Sequence, residues 1–142
     1  MKGWSYTHFA RAWLALALFA SQTGAQSVYT PYTFTTFVGT AGQVGSADGT
    51  GSEARFNYPF GLTVDPAGNI YVADSSNHTI RKVMPAGVVT TLAGLAGVYG
   101  SADGTGSVAR FDRPYGVAVD SAGNLYAVDL GNNTSGKALQ RR

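Results

Sequence analysis

The segment "GLTVDPAGNIYVADSSNHTIRKVMPAGVVTTLAG" (Gly61–Gly94) decides the fold. Its apolar residues come in runs of five to seven, and each run is closed by a turn signal. "GLTVD" (Gly61–Asp65) is a first short β run, and Gly68 in the "PAG" that follows supplies the positive φ of a tight turn. "NIYVAD" (Asn69–Asp74) is a second run, closed by "SSNH". "TIRKVM" (Thr79–Met84) sets Ile80, Lys82 and Met84 against Arg81 and Val83, the two-residue period of a strand. A second "PAG" (Pro85–Gly87) leads into "VVTTLAG" (Val88–Gly94). Four strands joined by turns this short predict one antiparallel meander.

The meander is written nearly twice. A shift of 55 positions lays "GSADGTGSEARF" (Gly45–Phe56) on "GSADGTGSVARF" (Gly100–Phe111), with one change, Glu53 to Val108. The same shift lays Pro59 on Pro114, Gly61 on Gly116, "VDPAGNIY" (Val64–Tyr71) on "VDSAGNLY" (Val119–Tyr126), and Asp74 on Asp129. A fixed period of this size implies a repeat architecture. Four-stranded sheets repeated about an axis are propeller blades. The parallel β-helix has shorter repeats and no hairpin turns. The expected fold is therefore all-β: an incomplete β-propeller of about two four-stranded antiparallel blades.

The expected organisation is a signal peptide at 1–25, a linker at 26–33, repeats at 34–134 with blades at about 56–94 and 111–134, and an irregular tail at 135–142. Lys2 and Arg11 precede "AWLALALFA" (Ala12–Ala20), too short to span a bilayer. Thr23-Gly24-Ala25 offers small residues before a cut. The chain is then secreted or periplasmic, and cleavage leaves 8 basic against 8 acidic residues. No basic stripe remains, which removes the electrostatic footing for nucleic acid. No stable membrane span remains either. Phe34–Gly39 is expected as a lone fourth strand of a preceding blade. After Asp129 the pattern fades, with Ser135-Gly136 standing where Ile80-Arg81 stood. The chain thus reads as a truncated piece of a longer propeller. The alternative is assembly of several copies into a ring, and open blade edges invite such self-association.

The run Phe56–Val83 resembles the NHL repeat. The resemblance rests on Pro59, Gly61, Val64-Asp65, Gly68-Asn69, Tyr71-Val72-Ala73-Asp74, Asn77-His78 and Ile80-Arg81. Phe111–Asn133 is similar, with Ala127-Val128 in place of Val72-Ala73. The family's functions are diverse, so the resemblance implies a scaffold more than an activity.

The repeated glycine-rich phrase then reads as an inter-blade connector. Phe56 and Phe111 are expected to wedge at blade junctions. Arg55 and Arg110 are expected to bond carbonyls or Asp side chains across them. Asp74 and Asp129 are expected to cap the turns that follow by bonding backbone amides. Gly61 and Gly116 are expected to be structural. Asp48 and Asp103 are weak calcium candidates, since calcium takes six to eight oxygens and usually several carboxylates. His78 is the one histidine outside the leader, too few for zinc, which needs three or four protein ligands. Ser75, Ser76 and His78 match no nucleophile elbow, and "GTAGQVG" (Gly39–Gly45) lacks the lysine of a phosphate loop. No catalytic residue and no cofactor is expected. The leading reading is an exported module that binds protein, peptide or glycan through propeller loops. The alternatives are a fragment of a secreted metal-dependent lyase or hydrolase, and a non-functional remnant.

Overall fold

The structure, a computed structural model, describes residues 31–139, and the side chains of 31–134. The expected leader at 1–25 and the first part of the linker lie outside the described residues. Both sheets belong to one unit that begins at Phe34.

Among the described residues eight strands run in chain order: β1 (Gly49–Thr50), β2 (Pro59–Val64), β3 (Ile70–Asp74), β4 (Thr79–Val83), β5 (Val88–Gly94), β6 (Pro114–Val119), β7 (Leu125–Asp129) and β8 (Thr134–Leu139). They form two sheets, ordered β1-β5-β4-β3-β2 and β6-β7-β8, with every strand pair antiparallel. Each neighbouring pair from β2 to β5 is also a sequence neighbour, as a meander requires. The hairpin turns take the shape their glycines permit, with φ of +81° at Gly68 and +78° at Gly87. Among the described residues the helical turns are three short 3₁₀ segments, one before β2, one between β3 and β4, and one before β6.

Strand alternation divides each blade into two faces. On the first blade, Ala73, Ile80 and Ala93 point to one face, where Ala109, Phe111 and Ala127 of the second blade complete a core. Val83 and Val89 point to the other, covered by Ala54 with Val38, Phe56, Ile70 and Val72 packed around them. Phe111 is 2% exposed and packs against Ala73, Ile80 and Ala93 at the blade junction. Phe56, its repeat partner, is only half-buried.

Two expectations are corrected. Phe34–Gly39 is not a strand; the outer edge of β5 is taken by Gly49–Thr50 of the connector, opposite Val89 and Val88. A strand needs a hydrogen-bonded neighbouring strand, and among the described residues this segment has none. The tail expected to be irregular from 135 instead continues as β8 to Leu139, paired with β7. A register shift between Ala127 and Val128 absorbs Gly136 in a bulge. Cross-strand bonding to β7 defines this strand, while its side-chain alternation is too weak to announce it. Among the described residues the second blade therefore has three strands.

Candidate functional site

The repeated connector ends on a buried arginine. Arg81 is wholly buried in the middle of β4. Its Nη1 donates to Asp74 Oδ2 at 2.8 Å and to the carbonyl of Arg55 at 2.9 Å. Its Nη2 donates to Asp48 Oδ1 at 2.7 Å and to the carbonyl of Ala47 at 2.9 Å. The guanidinium also lies 5.1 Å from the centre of the Phe56 ring. One planar fork thus holds strand, connector and aromatic wedge together. Asp48 is engaged on both oxygens, since Thr91 adds its backbone N–H at 3.1 Å and its hydroxyl at 3.0 Å. Its carboxylate serves the fold as a latch between the connector, β4 and β5. Asp103 occupies the same place in the second connector.

Asp74 and Asp129 do not cap the turns that follow them, which corrects the expectation. Each reaches back to the entry of its blade's first strand. Asp74 Oδ1 accepts the Asn57 N–H and Asp129 Oδ1 accepts the Asp112 N–H, both at 2.7 Å. The other oxygen accepts from Asn77 or Asn132, whose amide also donates to the carbonyl of Gly45 or Gly100. The amides of the following turns are already taken, Ser75 and Ser76 by the carbonyls of Tyr58 and Asn57, Leu130 and Gly131 by those of Arg113 and Asp112, and both aspartates are fully buried. Arg55 departs from expectation too: its Nη1 bonds the carbonyls of Ser52 and Ala54 inside its own connector. Arg110 bonds the matching carbonyls of Ser107 and Ala109.

Arg81 is the residue whose role sequence reasoning misses. It shares the alternation of Val83, so a charge on a buried stripe is the available signal. In the second blade Lys137 stands opposite Ala127, just as Arg81 stands opposite Val72. The Gly136 bulge moves this pairing one position along.

At the inner edge the blades touch through backbone. A Cβ on Gly61 would lie 2.7 Å from both the Gly116 Cα and the Tyr115 carbonyl oxygen, so only glycine fits there. Beside this contact the Phe60 and Tyr115 rings lie 4.6 Å apart, centre to centre, tilted by 31°. Both rings remain about half exposed, at 55% and 48%, and Tyr58 is 69% exposed. His78 sits at the junction in the left-handed conformation (φ 57°). Its Nδ1 accepts the Arg113 N–H at 3.2 Å. The ring lies 3.6 Å from Asp112 Oδ1, measured at Nδ1, and 5.7 Å from the Tyr99 ring. A surface hollow of about 340 Å³ opens between Thr36–Val44 and Phe56, Tyr58 and Pro59.

The β2–β3 and β6–β7 turns carry their own carboxylates. Asp65 accepts from the Asn69 side chain and backbone N–H, both at 2.8 Å, and from the Tyr71 hydroxyl at 3.1 Å. Asp120 repeats the arrangement with Asn124 and Tyr126. The Asn69 and Asn124 side-chain bonds lead in holding both carboxyls below their ordinary value. Among the described residues, no three of His, Cys, Asp and Glu converge as a metal site would require. Asp48, Asp74 and Asp129 are taken up by arginine, asparagine, threonine and backbone donors.

A four-stranded meander and its three-stranded repeat, touching at inner-strand glycines, define a propeller-type repeat protein. The NHL repeat model matches residues 56–83, and the second copy follows the same plan: the chain is an NHL-repeat protein. It is 38% identical over 90 residues to Protein SUPPRESSOR OF QUENCHING 1, chloroplastic, of Arabidopsis thaliana, covering 63% of this chain and 8% of that protein. It is 37% identical over 97 residues to NHL repeat-containing protein 2 of Bos taurus, covering 67% of this chain and 13% of the relative. The chain thus spans about a tenth of the length of these relatives. Among solved structures, it matches an auxiliary nutrient binding protein from Bacteroides ovatus with a TM-score of 0.65 and 28% identity, covering 75% of this chain and 28% of that one. A second auxiliary nutrient binding protein, from Bacteroides thetaiotaomicron, matches with a TM-score of 0.60 and 29% identity over 68% of this chain and 26% of that one.

Proposed function

We propose that this chain is an extracytoplasmic interaction module that binds a peptide, protein or glycan on the inner-strand rim of its blades. The observation that carries the reading is the exposed aromatic pair Phe60 and Tyr115, flanked by Tyr58. Half-exposed rings side by side offer flat apolar area with little side-chain entropy to lose, the property that makes aromatics good recognition residues. The ion pairs and carboxylates behind them are committed to holding the blades, which leaves recognition to the rim. The nutrient-binding description of two structural neighbours supports the same reading, and supports an extracytoplasmic site of action.

The test is a screen of the chain against an oligosaccharide array and a displayed random-peptide library. Each ligand found is then titrated against Phe60→Ala and Tyr115→Ala. Binding that falls about tenfold or more in both variants supports the rim. Ligands indifferent to both substitutions overturn it. Export is tested separately: intact mass of the chain from a bacterial periplasm should show loss of the segment ending at Ala25.

A further inference from the structure

The two outer ends of this two-blade unit match one another in the way its two blades already match. At the internal junction, Gly61 meets the backbone of Gly116, and Phe111 fills the face formed by Ala73, Ile80 and Ala93. The second blade repeats that receiving face and leaves it open. A Cβ on Gly116 would meet nothing within 4 Å. Tyr126 and Val128, the repeat equivalents of Tyr71 and Ala73, are 42% and 44% exposed. Around them lies an apolar hollow of about 230 Å³ lined by Gly116, Ala118, Tyr126 and Val128. The first blade repeats the inserting face, and the inner-strand part of that face is open. Leu62 and Val64 are 63% and 53% exposed, whereas Val117, the equivalent of Leu62, packs into the junction core.

A strand is also available. "FTTFVG" (Phe34–Gly39) repeats "VTTLAG" (Val89–Gly94) of β5, yet among the described residues it pairs with no strand. The Gly39 N–H donates to the Gly51 carbonyl at 2.9 Å, which holds the segment beside its own connector. Phe34 is 95% exposed. The outer edge of β8 has no neighbouring strand among the described residues, where β4 has β5.

We propose that copies of this chain associate head to tail. The first blade of a second copy covers the open face of the second blade, and its Phe34–Gly39 adds as the fourth strand on β8. The register follows from the first blade: Phe34, Thr35 and Thr36 of the second copy stand opposite Leu139, Ala138 and Lys137. This copies Val89, Thr90 and Thr91 opposite Val83, Lys82 and Arg81. The contact is heterologous, so it closes into a ring where the blade rotation permits. Propellers close with four to eight blades, which sets the ring at about two to four copies.

The experiment is native mass spectrometry with sedimentation velocity on the full chain across a concentration series. One defined stoichiometry in that range is expected. Gly116→Val adds a side chain where the single copy has space and the assembly has none. Thr35→Pro removes a donor from the added strand. Each should weaken association about tenfold or more, with the thermal melt of the dilute chain unchanged. The chain has no cysteine, so mixing Thr35→Cys with Ala138→Cys chains under mild oxidation should give the mixed disulfide in preference to either homodimer. A chain that stays monomeric at the highest concentration overturns the proposal. So does association that neither substitution weakens, or the lack of a preferred mixed cross-link.

Discussion

Arg81 and Asp74 form an ion pair 2.8 Å long in which both side chains are wholly withdrawn from water. Burying two charges costs more than their attraction returns unless the remaining donors and acceptors are bonded. Here most of them are: the Asp74 carboxylate also takes Asn57 and Asn77, and the guanidinium also takes Asp48 and two carbonyls. The pair is therefore a joint between four separate pieces of chain.

Removing one partner should leave the other buried and charged. Arg81→Met is expected to destabilise the chain by about 3–5 kcal/mol. Asp74→Asn keeps an acceptor and leaves Arg81 its Asp48 contact, so it should cost less. Urea unfolding with a shared slope measures both. Equal, small shifts for the two variants would show the joint to be dispensable.

Phe111→Ala should cost about 3–5 kcal/mol, the range for deleting a fully buried aromatic ring. Phe56→Ala should cost clearly less in the dilute chain, because Phe56 is only half-buried. Paired thermal melts give the ranking, and a reversed order would place the main junction elsewhere.

Gly61→Ala drives a methyl to within 2.7 Å of the second blade's backbone, and backbone cannot rotate away as a side chain does. The expected cost is about 1–3 kcal/mol. Gly116→Ala meets open space in the single copy and should shift stability by less than about 0.5 kcal/mol when diluted. The two melts, run side by side, separate a position that needs glycine from one that tolerates a side chain.

Asp65 and Asp120 give the fold an acid-sensitive component. Their folded pKa values lie below the ordinary 3.8, so the folded state binds fewer protons than the unfolded chain near that pH. Their stabilisation is fully present above 3.8 and is lost as pH falls through the lowered folded values. Asp65→Asn with Asp120→Asn should flatten the fall of the urea midpoint as pH drops below the ordinary 3.8. An unchanged slope would assign that fall to other carboxylates.

The meander is legible in the sequence because its signals are local. Val88–Gly94 is a strand with the bounds its sequence suggests, and Gly68 and Gly87 turn where "PAG" places them. The junction role of Phe111 follows from the period alone. The carboxylate partners are harder to read, since they depend on residues far off in sequence: Asp74 is satisfied by Asn57, 17 positions back. The connector reads as a spacer with a weak calcium motif, because nothing in "SADGTGS" announces an arginine 33 positions downstream. Gly136 hides β8 for a related reason: a bulge breaks the side-chain period without breaking the backbone ladder.

The reach from Asp48 to Arg81 also sets an order of events during folding. Strands β2 to β5 pair as successive hairpins, contacts that close within microseconds. The Asp48 bond closes a loop of 33 residues and gains little until β4 exists to present the guanidinium. Docking of the connector is then the late step, and its release the first opening on the way out. Amide protons of Ala47 to Arg55 should accordingly exchange with solvent through a smaller excursion than those of β3 and β4, which makes the repeated phrase the clasp of each blade rather than its frame.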